Sequence, residues 1–309
     1  MNRPVAVITD VTDLDVGPAT DILRDAGFEV HVLSWDVDQT VPEAAREAVI
    51  ALAGYAYLGR SFFEALPGLR YIATASAGTD MVDADEARAR DVVVQPLVGV
   101  ATEEVATHAL ALLLAIERDL LPVATAVAAG AWSEAYTAIP RRLTHCTLGL
   151  YGLGRIGTRL AQLARPLFGR VLAHDPYVAT APDGVDALVS FAELLAASDV
   201  LSLHVPLTAQ TTGAVGAAEI AALPEGASLI NVSRGELVDA TALAAALDDG
   251  RLRGAGLDVL EGEPPRPSDP LRAHPRTIVT PHVAYLSDRS LEGYLRGPAE
   301  SAVRWWRER

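Results

Sequence analysis

Short apolar runs alternate with helical patterns along the first hundred or so residues of the sequence. The runs are typical of β-strands, and they read VAVITD, VHVL, AVIALA, YIATA and VVVQP. Helical patterns stand between them, for example from Pro18 to Ala26 and from Ala84 to Arg90. Alternation of this kind predicts parallel βαβ units with helices on both faces of the sheet. We therefore expect a first α/β domain in this part of the chain.

The pattern then changes to a long helix, followed by a second series of strands. A helix is predicted from Ala101 to Arg118, with glutamates in its first turns and an arginine in its last, as the helix macrodipole favours. After an irregular piece around GAWSEAYTAIPRRL, the strand-like runs are TLGLY, RVLAHD, VLSLHV, ASLINV, GAGLDV and TIVT. Helix-length segments separate these runs, so we expect a second doubly wound parallel α/β domain.

The C-terminal tail predicts one more helix. Its pattern runs from Ser287 to Arg309, and we expect a break at Gly297 and Pro298 because proline interrupts helical hydrogen bonding. The adjacent Trp305 and Trp306 require a surface on which to pack.

The composition limits the class of protein. With 309 residues, 50% of them apolar, the chain is long enough to form two domains. The net charge is −15 and all 25 basic residues are arginine, so no dense basic face is available to bind nucleic acid or an anionic membrane. The apolar segment from Ala109 to Ile116 is far shorter than the roughly 20 residues of a membrane-spanning helix.

The cysteine content and the first residues indicate a compartment. The single cysteine, Cys146, has no partner for a disulfide within the chain, which points to a reducing environment. The sequence starts with a very short apolar run followed by acidic residues, which is not typical of a signal peptide. We expect a cytoplasmic protein. The histidines show no metal-ligand spacing, so we expect no metal site.

A glycine-rich turn follows the first strand of the second domain. Gly152, Gly154 and Gly157 come directly after TLGLY and open a helix with one apolar face. These glycines permit a tight turn, a close approach of the backbone to a pyrophosphate, and close packing of helix on strand. Asp175 ends a strand 21 residues after Gly154, where a carboxylate binds the ribose hydroxyls of a dinucleotide and repels a 2′-phosphate. The motif therefore predicts NAD rather than NADP.

Three chemically functional side chains follow later strands of the same domain: Arg234, Glu263 and His282. Because the carboxyl ends of parallel strands face the crevice in which a dinucleotide lies, the three can converge on one substrate. Histidine is suited to the proton transfer that accompanies hydride transfer, and a neighbouring carboxylate fixes its tautomer. Arginine binds a substrate carboxylate with two hydrogen bonds. Each residue alone could be a loop side chain, but their shared position favours catalytic roles.

Together these segments resemble the NAD-dependent D-2-hydroxyacid dehydrogenase family. The resemblance covers nearly the whole chain and rests on GLGRIG, HDPY, HVPLT, NVSRGELVD, GLDVLEGEPP and TPHVA. It implies that Arg234, Glu263 and His282 form the catalytic set. The catalytic acid of the family directly precedes a proline, so the resemblance assigns this role to Glu263 and not to Glu261. It also implies cofactor contacts from a wider set: Arg155, Ile156, Asp175, Pro206, Val232, Ser233 and Asp258.

The resemblance further implies an architecture and a reaction. A Rossmann NAD-binding domain, 99–283, would be inserted into a flavodoxin-like substrate domain formed by 1–98 and completed by 284–309. The ASAGTD loop would bind the substrate carboxylate through Ser76, Ala77 and Gly78. The expected activity is reduction of a small 2-keto acid to a D-2-hydroxy acid, and the reverse. Homodimers formed through the cofactor domain are usual in this family.

Two other functions stay open at this point. An NAD(H)-sensing, protein-binding module of the C-terminal-binding-protein type is suggested by EEVA and by Tyr285, an aromatic residue near His282 that we also expect to line the substrate pocket. That branch retains the catalytic residues. Formate dehydrogenase is disfavoured because that branch pairs its histidine with glutamine, whereas Glu263 stands here. Thr74 replaces the arginine of phosphoglycerate-specific relatives, so a role in serine biosynthesis is not expected.

Overall fold

The computed structural model describes residues 3–10, 14–35, 37–132 and 139–309. The chain divides into two compact units, Met1–Ala101 with Leu286–Arg309, and Thr102–Tyr285. We refer to them as unit 1 and unit 2. The domain boundaries expected from the sequence, and the ligand that each domain binds, stay predictions.

The strands and helices of the described residues are numbered here in chain order. The strands are β1 (Val5–Ile8), β2 (Glu29–Val32), β3 (Ala48–Ala53), β4 (Tyr71–Thr74), β5 (Val93–Gln95), β6 (Thr147–Tyr151), β7 (Arg170–His174), β8 (Ala187–Leu188), β9 (Val200–Leu203), β10 (Ala227–Asn231), β11 (Leu252–Leu257) and β12 (Thr277–Val279). The helices are α1 (Gly17–Asp25), α2 (Arg60–Ala65), α3 (Ala84–Ala89), α4 (Thr102–Glu117), α5 (Leu120–Ala128), α6 (Arg155–Ala164), α7 (Phe191–Ala197), α8 (Ala217–Ala222), α9 (Ala240–Asp248) and α10 (Asp288–Glu308). Each predicted strand-like run contains one strand, whereas β8 and α5 are elements that the pattern did not predict.

Unit 1 is built on a five-stranded parallel sheet. Its strand order, β2-β1-β3-β4-β5, is the doubly wound order of flavodoxin-like folds. Successive residues of β1 enter different cores, because side chains alternate between the two faces of a strand. Val5 and Val7 pack in a cluster with Phe62, whereas Ala6 and Ile8 pack in a cluster with Phe28. Both faces of the sheet are therefore covered, as the sequence pattern predicts.

The C-terminal helix α10 is continuous, so the predicted break at Gly297 and Pro298 is wrong. Pro298 lies inside the helix and is buried. A proline in a helix interior removes one hydrogen bond, a local cost of about 3 kcal/mol. Ala299 and Ala302 on the same helix are fully buried against the core of unit 1. Tertiary packing of this face outweighs the local preference for a break.

The tryptophan pair at the end of α10 packs as predicted. The ring of Trp305 stacks on Tyr71, with 4.7 Å between the ring centroids, and Trp306 meets the edge of Phe28 at 5.2 Å. The hydroxyl of Tyr71 also forms a 2.8 Å hydrogen bond with Ser301 Oγ. The tail is thus a structural part of unit 1.

Unit 2 is built on a seven-stranded parallel sheet. Its strand order is β12-β11-β10-β9-β6-β7-β8, so the chain moves outward from β6 through β7 to β8 and then returns to the other side of β6 with β9. This is the Rossmann arrangement with one additional strand, and dinucleotides bind beyond the carboxyl ends of the strands where the order reverses. All residues of β9 and β10 are buried, including the polar Ser202, Ser228 and Asn231, so these two strands lie in the interior of unit 2.

A buried ion pair joins Arg141, shortly before β6, to Glu117 at the end of α4. Glu117 is fully buried and accepts two hydrogen bonds from the guanidinium of Arg141, at 3.1 and 2.7 Å, and one from Ser228 Oγ at 2.6 Å. The carboxylate is thus satisfied in the interior, as a buried charge must be. Residues 133–138, within the segment expected to be irregular, lie outside the described residues.

Helix α5 carries an exposed apolar surface. It has no buried residue, and Leu120 and Leu121 are 55% and 53% exposed. Its sequence, LLPVATAVA, contains no charged residue. A contiguous apolar surface of this kind is typical of a protein interface. Across the ranges that the structure describes, no helix combines the length and the apolar character needed to cross a bilayer.

Candidate functional site

The glycine-rich turn follows β6 directly and depends on residues without side chains. Gly152 has φ of +100°, which glycine adopts without strain, and a Cβ there would lie 2.7 Å from the carbonyl carbon of His204. A Cβ on Gly157 would lie 2.2 Å from the carbonyl oxygen of Gly152. The turn, the start of α6 and the end of β9 therefore approach one another more closely than other residues permit.

The N-terminus of α6 is open to a ligand. Gly154 is the N-cap residue, no side chain caps the helix, and a Cβ on Gly154 would meet no atom of the described residues within 4 Å. An open pocket of about 540 Å³ lies here, lined by Gly154, Arg155 and Arg159 among others. Free N–H groups at a helix N-terminus stabilise a phosphate group. The residues present therefore fit the pyrophosphate of a dinucleotide.

Asp175 lies directly after β7, beside the glycine-rich turn. Its Oδ2 accepts a 2.8 Å hydrogen bond from the N–H of Leu153, and its Oδ1 accepts one of 2.9 Å from the N–H of Tyr177. Burial, and then the negative charge of Asp175, raise the pKa of the neighbouring Tyr151. The turn and a negative charge are thus fixed next to each other, as the predicted ribose site requires.

His204 packs beneath the turn. Its Cβ lies 3.3 Å from the position that a Cβ on Gly157 would occupy, and its Nε2 lies 2.8 Å from Ser202 Oγ. The Nδ1 atom of the ring is buried without a hydrogen-bond partner among the described residues. Burial lowers the pKa of His204 to about 4. The ring is therefore neutral at physiological pH and supports the turn without adding charge.

Arg234 follows β10 on a tightly held loop. The side chain of Asn231 donates a 2.7 Å hydrogen bond to the carbonyl of Arg234 and accepts one of 3.0 Å from the N–H of Ser233. The hydroxyl of Ser233 donates to the carbonyl of Leu203 at 2.9 Å, which ties this loop to the end of β9. Arg234 itself is half-buried. The loop thus fixes the backbone from which the guanidinium extends.

Glu263 and His282 are in direct contact, as predicted. Glu263 Oε2 lies 2.6 Å from His282 Nδ1, and 33% and 34% of the two side chains are exposed. Glu263 Oε1 accepts a 3.0 Å hydrogen bond from the N–H of Leu260. A carboxylate on Nδ1 places that proton on Nδ1, so Nε2 is the atom left to exchange a proton with a ligand.

A close backbone approach joins the Arg234 loop to the Glu263 loop. A Cβ on Gly235 would lie 2.1 Å from the carbonyl carbon of Leu260, so only glycine fits between them. The two loops follow the neighbouring strands β10 and β11, and His282 follows β12 at the edge of the sheet. The structure therefore brings the three predicted catalytic residues to the same edge of three successive strands.

Asp258 organises the loop that carries His282. It is 1% exposed, and its carboxylate accepts hydrogen bonds from Thr280 Oγ1 at 2.5 Å and from the N–H groups of Val283 and Ala284 at 3.0 and 2.8 Å. The N–H of His282 donates to the carbonyl of Asp258 at 2.8 Å. The resemblance assigns Asp258 to the cofactor, but this loop-holding role was missed. The sequence signal that could have found it is an aspartate directly after an apolar strand-like run.

The remaining predicted cofactor residues lie at the same edge of the sheet in unit 2. Arg155 and Ile156 begin α6, Pro206 lies in the loop after β9, and Val232 follows β10. Tyr285 is half-buried in a turn three residues after His282. The cofactor contacts of these residues and the pocket-lining role of Tyr285 stay predictions.

The predicted substrate loop lies in unit 1, directly after β4. Ser76 Oγ donates a 2.8 Å hydrogen bond to the carbonyl of Gly78, and Thr74 Oγ1 donates one of 2.8 Å to the carbonyl of Ser76. The N–H groups of Ser76, Ala77 and Gly78 donate to no other described residue. Backbone N–H groups without a partner in the chain are available to donate to an anion such as a carboxylate. This geometry fits the predicted carboxylate site, whose assignment stays a prediction.

Comparison with known proteins identifies relatives along most of the chain. Residues 110–284 match the family model described as D-isomer specific 2-hydroxyacid dehydrogenase, NAD binding domain. A glycerate dehydrogenase from Methylorubrum extorquens is 36% identical over 86% of this chain and 84% of that protein. The matched D-3-phosphoglycerate dehydrogenases are longer, and this chain spans 51% of the one from Archaeoglobus fulgidus.

Two solved structures match nearly the whole chain. A D-lactate dehydrogenase from Aquifex aeolicus, complexed with NAD and lactic acid, is 29% identical with a TM-score of 0.85, over 98% of this chain and 94% of that chain. An NADPH-dependent glyoxylate/hydroxypyruvate reductase from Sinorhizobium meliloti, in complex with NADP and malonate, is 31% identical with a TM-score of 0.87, over 99% and 94%. The two-sheet fold described above is therefore common to all three.

The buried neutral ring of His204 predicts a specific pH dependence of stability. Its pKa is about 4 in the folded chain and about 6.5 when exposed, so between these values the unfolded state binds a proton that the folded state does not. This contribution destabilises the fold progressively as pH falls from 6.5 to 4, by up to about 3 kcal/mol. In His204→Gln the contribution is absent, so the acid loss of unfolding free energy should be smaller by that amount.

Urea unfolding of the cofactor-free chain at pH 7 and pH 4 measures this difference. His145→Gln is the matched control, because His145 is exposed and its replacement should leave the pH dependence as in the wild type. Equal acid losses in the wild type and His204→Gln would contradict the burial of a neutral ring.

Proposed function

Because this chain belongs to the D-isomer-specific 2-hydroxyacid dehydrogenases and is an NAD-dependent enzyme acting on CH–OH groups, we propose that Arg234, Glu263 and His282 carry its chemistry. The reaction is the reduction of a 2-keto acid to a D-2-hydroxy acid, and the reverse. The observation that supports the assignment is the 2.6 Å contact of Glu263 with His282, at the sheet edge that also carries Arg234. NADH supplies the hydride.

His282 is the proton donor in this proposal. Glu263 holds the Nδ1 proton, so a protonated ring offers the Nε2 proton to the keto oxygen as the hydride reaches the carbon. After the transfer the ring is neutral, and Glu263 still accepts the hydrogen bond from Nδ1. In the oxidation direction the neutral Nε2 accepts the hydroxyl proton. Partial exposure of both side chains lets the ring exchange protons with solvent.

Arg234 binds and orients the substrate. A guanidinium presents paired N–H donors that match a carboxylate, and it also polarises a neighbouring carbonyl toward attack. Within unit 1, the unpaired N–H groups of Ser76, Ala77 and Gly78 support the proposal that this loop binds a carboxylate. Tyr285 is proposed to limit the size of the substrate side chain.

The relatives suggest which substrates to test first. Three of the relatives described above, which span most of their own length with this chain, are named for glycerate, glyoxylate, hydroxypyruvate and lactate, all of which are small acids. We propose glyoxylate and hydroxypyruvate as initial substrates. The protein-binding alternative is not favoured, because these relatives are enzymes that act on hydroxy acids or keto acids.

A homodimer is also proposed. The exposed apolar face of α5 in unit 2 needs a cover, and it carries no charge in a chain whose net charge is −15. A second copy of the chain can cover this face. Two uncharged faces can meet without electrostatic repulsion, whereas the acidic surfaces of two copies repel each other. The single buried cysteine, Cys146, supports a cytoplasmic location.

The catalytic assignment predicts a large loss of rate when the donor is removed. His282→Ala should lower the single-turnover rate of NADH oxidation by about 10²–10⁴-fold, the usual contribution of a positioned acid. Glu263→Gln should lower it less, because the amide oxygen still accepts from Nδ1 but carries no charge. Stopped-flow absorbance with glyoxylate or hydroxypyruvate measures both rates.

Glu261→Gln is the matched control for the same loop. Glu261 is an exposed acid two residues before Glu263, and it should retain the wild-type rate. NADH affinity should change little in any of these variants, because none of the three residues is assigned to the cofactor. A wild-type rate in His282→Ala would reject the catalytic assignment.

The position of Asp175 predicts a preference for NADH over NADPH. Its charge beside the turn disfavours a 2′-phosphate, and a difference of about 1.4 kcal/mol in binding already gives tenfold discrimination. Asp175→Ala should weaken NADH binding and reduce the ratio of kcat/KM values for the two cofactors at least severalfold. The exposed Asp249→Ala, at the end of α9, is the control and should keep the wild-type ratio. Equal efficiency of NADH and NADPH in the wild type would exclude the role given to Asp175.

The dimer proposal predicts that the mass of the protein in solution depends on the apolar face of α5. Light scattering should give the wild type about twice the 32.6 kDa mass of the chain. Leu121→Glu places a charge on the apolar face of each copy and should shift the protein to the mass of one chain. Val37→Glu, at an apolar residue of unit 1 that is 80% exposed, should leave the dimer intact. A wild type with the mass of a single chain would overturn the proposal.

A further inference from the structure

A second histidine lies behind the loop that carries His282. His108 is on α4, and its Nε2 lies 2.9 Å from Thr280 Oγ1 and 3.6 Å from Asp258 Oδ1. Its side chain is 24% exposed, and its neighbours in sequence on the helix include the buried Val105 and Ala109. None of the roles proposed above for cofactor or substrate binding uses this ring.

The hydrogen-bond count fixes which atoms donate. Thr280 Oγ1 carries one hydrogen and lies 2.5 Å from Asp258 Oδ1. The Asp258 carboxylate already accepts from the N–H groups of Val283 and Ala284, as an ionised carboxylate does. The hydroxyl therefore donates to Asp258, and its remaining capacity is to accept. His108 must then carry its hydrogen on Nε2 and donate it to Thr280.

Through Asp258, these hydrogen bonds reach the backbone of the loop that carries His282. Asp258 binds the N–H groups of the two residues that follow His282, and its own carbonyl accepts the N–H of His282 at 2.8 Å. His282 has φ of +52°, in the left-handed region that a residue with a side chain rarely adopts. The loop thus depends on the bonds to Asp258 to keep this conformation, and Thr280 supplies one of them.

We propose that His108 is a positioning residue for the reaction, acting through Thr280 and Asp258 on the loop that carries His282. The proposal rests on the function proposed above, in which His282 is the proton donor. By donating to Thr280, His108 directs the hydroxyl hydrogen toward Asp258 and keeps the hydroxyl from rotating away. The ring of His282 is then held where its Nε2 meets the substrate oxygen. A small misplacement of a reacting group lowers a rate strongly, which is why a residue outside the reaction can matter.

Substitutions at His108 distinguish the role of its N–H donor from the role of the size of its side chain. His108→Leu removes the N–H and should lower the single-turnover rate of NADH oxidation about tenfold, less than the loss of the donor His282 itself. The dissociation constant of NADH should stay within about twofold of the wild type. His108→Gln retains a side-chain N–H and should recover most of the rate. Thr107→Leu places the same side chain on the adjacent, exposed position of α4 and should leave the rate unchanged.

Variants of Thr280 test the same path without changing the helix. Thr280→Val removes the hydroxyl with little change of shape and should lower the rate as His108→Leu does, whereas Thr280→Ser should retain it. The effects should not add, because both changes break one chain of hydrogen bonds. The double variant His108→Leu with Thr280→Val should therefore match Thr280→Val alone. A loss in the double variant equal to the product of the two single losses would overturn the proposal.

The proposal and the proposed function fail in different ways. If His282→Ala keeps the wild-type rate, the function assigned to His282 is rejected. If His282→Ala is slow but His108→Leu and Thr280→Val react at the wild-type rate, only the role of His108 is rejected. Nitrogen NMR of the intact chain adds a readout that does not need turnover. The His108 signal, assigned by its absence in His108→Gln, should show a proton on Nε2, and an unprotonated Nε2 would overturn the proposal.

Discussion

Parallel strand direction is the constraint on which the rest of unit 2 depends. Every strand of the seven-stranded sheet points the same way, so each loop that follows a strand emerges at one edge. The glycine-rich turn follows β6, Asp175 follows β7, Arg234 follows β10 and His282 follows β12. Residues far apart in sequence thus meet without any long excursion of the backbone. The reversal of strand order between β6 and β9 opens the space in which a dinucleotide fits.

The same edge carries partly exposed side chains next to a buried side chain that holds their loop. Glu263 and His282 each expose about one third of the side chain, whereas Asp258 exposes 1%. A buried carboxylate is tolerated only when hydrogen bonds replace the water that it has lost. Asp258 obtains these bonds from the loop on which His282 sits, so the free-energy cost of exposing Asp258 also opposes movement of that loop. The burial of the Asp258 carboxylate therefore helps to fix the position of the partly exposed His282.

The sequence predicts the strands better than it predicts long-range support. Apolar runs mark the strands, and Arg234, Glu263 and His282 are candidates for the chemistry because each follows such a run. The break expected at Pro298 is wrong because the local rule ignores the buried face of α10. Helix α5 was not predicted, since its apolar residues face no core and give no one-sided pattern. His108 and Thr280 are 172 positions apart, and no local signal connects them.

The left-handed backbone of His282 shows how the fold can overrule a local conformational preference. Residues in such conformations cost of order 1 kcal/mol or more and persist where the surrounding structure determines them. A glycine would adopt the turn without this cost, but it would bring no ring to the site. The hydrogen bonds from Val283 and Ala284 to Asp258 offset the strain, and they form only because β11 and β12 are neighbours in the sheet. The local preference is therefore overruled at His282 by hydrogen bonds that depend on the order of the strands in the sheet.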